Sequence, residues 1–582
     1  MCYRVRMVER RSGVHVVTTV RKYRDREYRA HLLRRSYRED GKVKKETLGN
    51  ITALGDELVA VVRAGLQGQQ VGVLDALLPP LRSRAHGHVR AVARAMERLG
   101  VARLLASRSS RERSIILALV AQRVLSPGSK LACTRKWHVS SVADVFGVAD
   151  VRVDEVFGAM DWLASRQGAV EERLAARHLS AGTPLLFDLS SSYVEGTHNE
   201  LAAFGHNRDK KRGKRQVNYG VLTDPIGRPV ALRVFAGNTS DPAALRAMLL
   251  DVRAQFGLHE TVLVGDRGMI TSKHVREFQA SDPSLQWITA LRAKEIQQLM
   301  LEGAMQTSLF EETNLVELES PLFPGERLVA CRNPLLAAER AHHREALLVA
   351  AGEKLDAIAR RVAAGRLKAA HTIGLKVGAA LAQHKMGKHF LLDIREGHFT
   401  YQRNPESIER EAATDGIYVI RSNTPAASRS AAELVRTYKD LRFVEQLFRT
   451  LKGVDIAARP IHHRKAERTT THLFICLLAY YVRWHLERAW APLTYRDHDP
   501  LGPDERDPVA PAERSDAAAT KAANRTTPAG DTAHSFKTLL EDLATIVRNT
   551  HQHPDTGATI TLDTIPTPHQ QHALTLVDTI TA

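Results

Sequence analysis

Between Pro184 and Gly237 three β-type runs follow one another: LLFDLSSSYV, RQVNYGVLTD and RPVALRVFAG. A basic loop separates the first two, and the turn Asp224-Pro225-Ile226-Gly227 separates the last two. A helical pattern then runs from Asp241 to about Phe256, followed by the strand TVLVGD, a helix from about Thr271 and the strand QWITALR. Three strands in succession, then strands alternating with helices, predict an α/β fold: a mixed sheet flanked by helices on both faces.

The rest of the chain is arranged around this block. Residues 1–80 form a basic, β-rich N-terminal unit, with a hairpin turn at Asp40-Gly41. Residues 81–182 read as a helical region, because AVARAMERLGVARLLAS and IILALVAQRVL space their apolar residues three and four apart. The sheet block occupies 183–294. An insertion follows at 295–430, with β-like pieces at ERLVACRNP, HFLLDI and GIYVIRS around a long charged helix from Leu335 to about Ala363. Residues 431–498 hold one strongly helical stretch over 431–457 and another from about 469 to 490. The Pro-, Ala- and charge-rich stretch 499–533 reads as a flexible linker, and a helix with a polar tail occupies 534–582.

Composition narrows the class. With 43% hydrophobic and 25% charged residues the 582-residue chain should fold rather than remain disordered. Its longest apolar run, Leu473 to Val482, is about half of the roughly 20 residues a membrane span needs, so it reads as a buried core helix. No apolar segment follows the N-terminal arginines, which fits a cytoplasmic protein. The four cysteines form no CxxC pair and read as reduced thiols. Net charge is +18, and residues 1–50 carry 15 basic against 6 acidic side chains, a net +9 and half of the total. Such clustering suits a polyanionic partner, most simply nucleic acid, as well as a merely solvated basic face.

Two carboxylates stand where a core is expected. Asp188 lies in Leu185-Leu186-Phe187-Asp188-Leu189, a run apolar enough for a central strand, where an ionised group needs a partner or a cation. Asp266 ends the strand TVLVGD, the kind of position where open α/β sheets collect ligands. A third acid comes from TYKDLRFVEQLFRTLKG. Read as one helix, it puts Tyr438, Arg442, Glu445, Arg449 and Lys452 within an arc of roughly 80° beside the apolar stripe Leu441, Val444, Phe448 and Leu451.

Two aspartates and a glutamate make a hard, all-oxygen donor set suited to Mg²⁺ or Mn²⁺. Two such ions per site support in-line attack at phosphorus, and Arg442, Arg449 and Lys452 would grip phosphates. The loop Arg208-Asp209-Lys210-Lys211-Arg212-Gly213-Lys214-Arg215 sets six cations against one acid close in sequence to Asp188, which favours DNA contact by Arg208, Lys210, Lys211, Arg212, Lys214 and Arg215. His206 and the pair His462-His463 lack a partner at ligand spacing and are not read as metal ligands.

At these residues the chain resembles the DDE transposases of bacterial insertion sequences, in the group with a Tyr-Arg-Glu-Lys signature on the helix of the third acid. Four ordered stretches carry the resemblance: LLFDLSSSYVEG, FGHNRDKKRGKRQVNYGVLTDPIGRPVALRVFAGNTSD, VLVGDRGMIT and YKDLRFVEQLFRTLKG. Tyr438, Glu445 and Lys452 stand at the signature spacing, whereas the arginine position holds Leu441 and Arg442 lies one residue on.

The resemblance implies an RNase H-like core with Asp188 on the first strand, Asp266 after the fourth and Glu445 on a late helix, interrupted by a mainly β insertion domain. It also implies that Arg267 lies near the DNA backbone and that the helical region 81–182 binds DNA. The implied activity is binding of an element's terminal inverted repeats, then cleavage and strand transfer on double-stranded DNA by a homodimer or higher oligomer. A nuclease or resolvase without strand transfer, or an inactive transposase-derived DNA-binding protein, are the alternatives.

Overall fold

The computed structural model describes residues 13–23, 26–68, 79–257, 261–282, 284–310, 313–497, 507–511, 513–554 and 557–581. They fall into two compact units, one of residues 1–83 with 548–564, the other of 84–547 with 565–582.

In the first unit β1 (Val14–Tyr23), β2 (Arg26–Glu39) and β3 (Lys42–Asn50) form an antiparallel meander. Asp40 and Gly41 both take positive φ, 49° and 75°, the backbone that tight hairpins demand and that Asp-Gly supplies. His31 anchors the meander from inside, held between the Thr18 hydroxyl (2.9 Å) and the Asp56 carboxylate (2.7 Å) of the helix Gly55–Leu66. The strand β4 (Pro80–Ala85) follows.

The second unit begins with seven helices between Gly87 and His178. They pack around the helix Ala466–Ala489, which is buried on every side from Leu473 to Val482, as a hydrophobic run without a polar face requires. The main sheet is built from β5 (Pro184–Tyr193), β6 (Gln216–Thr223), β7 (Pro229–Ala236), β8 (Val262–Val264), β9 (Gln286–Ala290), β10 (Leu315–Leu318) and β11 (Arg327–Arg332). The hairpin β12 (Phe390–Arg395) and β13 (His398–Arg403) stands apart from it, and β14 (Ile417–Ser422) completes it.

The order across the sheet is β10-β11-β14-β9-β8-β5-β6-β7. β5, β6 and β7 run antiparallel in sequence, while β8 and β9 join β5 in parallel. These five strands therefore stand in the order third, second, first, fourth, fifth, the arrangement of an RNase H-like core, with helices on both faces as expected.

The insertion is not mainly β. Its β10, β11 and β14 extend the main sheet instead of forming a domain of their own, and the helices Pro334–Ala363, Ala370–His384 and Pro405–Ala412 outweigh its strands. The first two pack with β12 and β13 around Leu348, Leu355, Ile373, Phe390 and Phe399. The alternation in HFLLDI and GIYVIRS is real, but it belongs to short strands that the longer helical periodicities outweigh.

The described residues of 499–533 are not a free linker. Val509 is buried, its carbonyl accepts from Lys439, and Asp516–Asn524 is a helix capped by Ser515. Lys521, fully buried, donates to the carbonyls of Ala491 and Arg496. Beyond the helix Phe536–Ala544 the polar tail is also ordered. It forms β15 (Val547–Gln552) and β16 (Thr559–Asp563), which extend from β4 in the order β16-β15-β4, and the helix Pro568–Val577, whose Ala573, Leu574 and Val577 are buried. Cys133, Cys331 and Cys476 are buried free thiols, and Cys2 lies outside the described residues.

Candidate active site

Strand alternation decides where Asp188 points. Leu185, Phe187 and Leu189 enter the layer of Leu245, Met248 and Trp287 on one face of the sheet. Leu186 enters the opposite layer with Val444, Phe448 and Tyr219, and Ser190 and Ser192 bond to Lys452 and Tyr219 there. Asp188, in step with these, emerges on the face covered by the helix Leu441–Lys452.

Its carboxylate accepts the Leu189 amide at 2.7 Å. Burial pushes its pKa up to about 7, against the Leu189 hydrogen bond and the charge of Arg208, and the negative charges of Asp266 and Glu445 raise it further. The charges of the other two acids chosen from the sequence thus reach Asp188, Glu445 from more than 250 residues along the chain.

Asp266 follows β8 by two residues. Val262 and Val264 face the same layer as Leu186, so the alternation carries Asp266 toward Asp188's side. Gly265 turns the chain under Ile270, whose side chain an added Cβ would meet at 2.9 Å. The Asp266 carbonyl then accepts from Met269 and Ile270, which fixes the turn and leaves the carboxylate exposed.

The stretch 431–457 is two helices, not one. Ala431–Lys439 ends at Asp440, and Leu441–Lys452 begins there. Tyr438 therefore sits at the end of the preceding helix, outside the arc of Arg442, Glu445 and Arg449. It is brought to the site all the same: its side chain faces the Asp266 carboxylate, and burial with the charges of Asp266 and Glu445 raises its pKa.

The glutamate helix buries Leu441, Val444, Leu447, Phe448 and Leu451 and leaves Arg442, Glu445 and Arg449 exposed. It rests on the turn after β6, where Gly227 at φ 88° has Phe443 so close that an added Cβ would approach it to 2.8 Å.

The cations divide into two groups. Lys452 and Arg208 are engaged internally: Lys452 reaches Asp209 (2.7 Å) and the Ser190 hydroxyl (3.0 Å), and Arg208 makes two 2.6 Å bonds to Asp241. Lys452 is thus held inside the protein, against the strand that carries Asp188. Exposed are Arg267, Arg442 and Arg449 near the acids, and Lys210, Lys211, Arg212, Lys214 and Arg215 in the loop. Of these, Lys214 pairs with Glu195, Lys211 lies over the Tyr193 ring and Arg215 over Phe204.

Sequence reasoning passed over Asp209 as the odd acid in a basic loop. Its side chain is fully buried and collects Lys452, Arg459 and the Tyr193 amide. A single acid in a run of cations was the available signal.

Among the described residues no three His, Cys, Asp or Glu side chains stand close enough to form a ready-made metal cage. By donor type the three acids nonetheless fit a hard divalent cation, since a cation among them would relieve the mutual repulsion that acts on Asp188.

Comparison with known proteins bears on the same residues. The Transposase DDE domain family matches residues 181–482, and the IS1634 family transposase N-terminal domain matches residues 16–76. No curated protein matches the chain. Among solved structures, a cryo-EM structure of a piggyBac transposase synaptic complex with hairpin DNA is 8% identical with a TM-score of 0.33, covering 78% of this chain and 76% of that one. The DDE match spans more than half of the sequence and contains Asp188, Asp266 and Glu445, so the chain belongs to the DDE transposases of bacterial insertion sequences, metal-dependent enzymes of DNA cleavage and transfer.

Proposed function

We propose that this transposase binds the terminal inverted repeats of its insertion sequence, cuts at their ends and joins the freed 3′-hydroxyl to target DNA. The observation that carries this reading is the coupling of Asp188 to both Asp266 and Glu445 on one face of the sheet. The three carboxylates hold two Mg²⁺ or Mn²⁺ ions per site. When bound, the ions supply activation of the attacking oxygen and neutralisation of the leaving one.

The chain's own groups supply position. Tyr438, facing Asp266, orients that carboxylate, and Lys452, tied to Asp209 and Ser190, fixes β5 beside Asp188. Arg267, Arg442 and Arg449 receive backbone phosphates flanking the cut, and the exposed cations of loop 208–215 extend that contact. The basic N-terminal unit reads the repeats. Water attacks the phosphodiester, its oxygen staying on the 5′-phosphate while the 3′-oxygen leaves as a hydroxyl; that hydroxyl then attacks a target phosphodiester and displaces the target strand's own 3′-oxygen, which leaves as a hydroxyl in turn. No covalent protein intermediate is needed, because positioning and charge neutralisation supply most of the catalysis. Pairing two element ends calls for a homodimer or higher oligomer in the active complex, which acts on the bacterial nucleoid.

Supplying the protein with pre-cut element ends and a target plasmid tests the reading. Joined products with Mg²⁺ are expected; cleavage of intact ends with no joining under any divalent ion would replace it by the nuclease alternative.

A further inference from the structure

A cavity of ≈ 350 Å³ away from the three acids is lined by Arg123, Lys130, Arg459, His462, His463 and His472, and by no aspartate or glutamate. Arg123 and Lys130 at its floor are only 4% and 5% exposed. The four other buried arginines among the described residues all meet a carboxylate: Arg84 meets Asp144, Arg344 meets Asp415, Arg421 meets Glu326, and Arg483 meets Asp455 and Glu487.

Arg123 instead touches the carbonyls of Ile456 and Ala457 at 3.3 Å. Lys130 touches Nδ1 of His472 at 2.8 Å, whose Nε2 is engaged by the Ala458 carbonyl. One partner leaves two of an ammonium's three donors to spare. The groups here repel each other. Burial first and Arg123 second lower the Lys130 pKa to about 7, and burial with both cations lowers those of His463 and His472. Buried cations without an anion are as costly as the lone carboxylate of Asp188, and the cavity has room for the missing charge.

We propose that this cavity is a binding site for a phosphate-class oxyanion, taken by Lys130 and Arg123 at the floor and by Arg459 and His462 at the mouth. The oxyanion is a backbone phosphate of bound DNA or free phosphate. Arg459 also reaches Asp209. An oxyanion here therefore lies one side chain from the group that holds Lys452 beside Asp188. Only the DNA source rests on the function proposed above.

Equilibrium dialysis of the full chain against inorganic phosphate, at ionic strength held constant with chloride, tests the site. The wild type is expected to bind phosphate saturably, and Lys130→Met to bind it at least about tenfold more weakly, the value of a charge-assisted hydrogen bond. Ser129→Asp is the control for folding. Ser129 is exposed at the mouth and caps a helix through the Ala132 amide, a bond Asp also makes, while its charge should repel phosphate.

Binding to a random-sequence duplex separates the sources. A log K against log salt slope shallower by about 0.9 in Lys130→Met assigns the oxyanion to DNA, whether or not free phosphate binds. An unchanged slope with lost phosphate binding assigns it to the free anion. Phosphate binding that is absent from the wild type, or equal in wild type and both variants, overturns the proposal when the slope is also unchanged. A wild type that binds phosphate but no DNA refutes the functional reading alone.

Discussion

Asp209 offers a measurable test of how the site is held. Its side chain is fully buried, Lys452 is 12% exposed and Arg459 31%. Asp209→Asn keeps an acceptor for the Tyr193 amide, now at 3.0 Å, but removes the charge that compensates Lys452. Breaking a buried pair in this way costs about 3–5 kcal/mol. Arg459, near a third exposed, turns back to water and adds no more than about 1 kcal/mol. A loss of about 3 kcal/mol is therefore expected.

Lys452→Met should cost less, about 2 kcal/mol, because Asp209 keeps Arg459 and the amide. The double variant should fall short of the sum by about 2 kcal/mol, since the second change removes a group already unpaired. Local opening free energy from hydrogen exchange over Ser190–Tyr193 reads this directly, without requiring two-state unfolding of a chain this large. Additivity within about 0.5 kcal/mol would refute the claim that Lys452 acts through Asp209.

Three further outcomes are expected. Tyr438→Phe removes the hydroxyl facing Asp266 and should slow DNA cleavage about tenfold or more while leaving duplex affinity unchanged in a gel-shift titration; equal rates would detach Tyr438 from the site. Gly220→Ala would place a Cβ 2.7 Å from Phe187 and 3.1 Å from Leu189, so it should destabilise the sheet by about 1–3 kcal/mol, read as a lower urea midpoint. Replacing Lys210, Lys211 and Arg212 together by Gln should flatten the salt dependence of DNA binding by up to about 0.9 per contact; an unchanged slope means the loop does not touch DNA.

The sequence carried the catalytic layer further than the rest. Asp188 and Asp266 stood out because β-type runs alternate or bury both faces, and a carboxylate in such a run violates the pattern. The break at Asp440 was invisible because the apolar spacing continues from Leu434 through Leu441 and Val444 across the single residue that separates the two helices. The insertion misled in a different way. GIYVIRS and ERLVACRNP are strands, but their partners, β9 and each other, lie elsewhere in the chain, so local pattern could not show that they extend the main sheet.

Two features had readable signals that composition overrode. Ser515-Asp516 before an alanine run is a helix start, and the β-type runs VRNTHQ and TITLD pair with each other, yet both lie in polar sequence that looked structureless. Lys521 shows why composition fails there: two carbonyls satisfy its ammonium, so a charged residue becomes part of a core.

The central claim is that Asp188, Asp266 and Glu445 share divalent ions. Mn²⁺ bound to the protein–DNA complex, counted by electron paramagnetic resonance in wild type and in Asp188→Asn, Asp266→Asn and Glu445→Gln, measures it most directly. Each substitution is predicted to lower bound Mn²⁺ and abolish cleavage while DNA binding persists. Full Mn²⁺ occupancy and unimpaired cleavage in any one of the three variants would contradict the shared site.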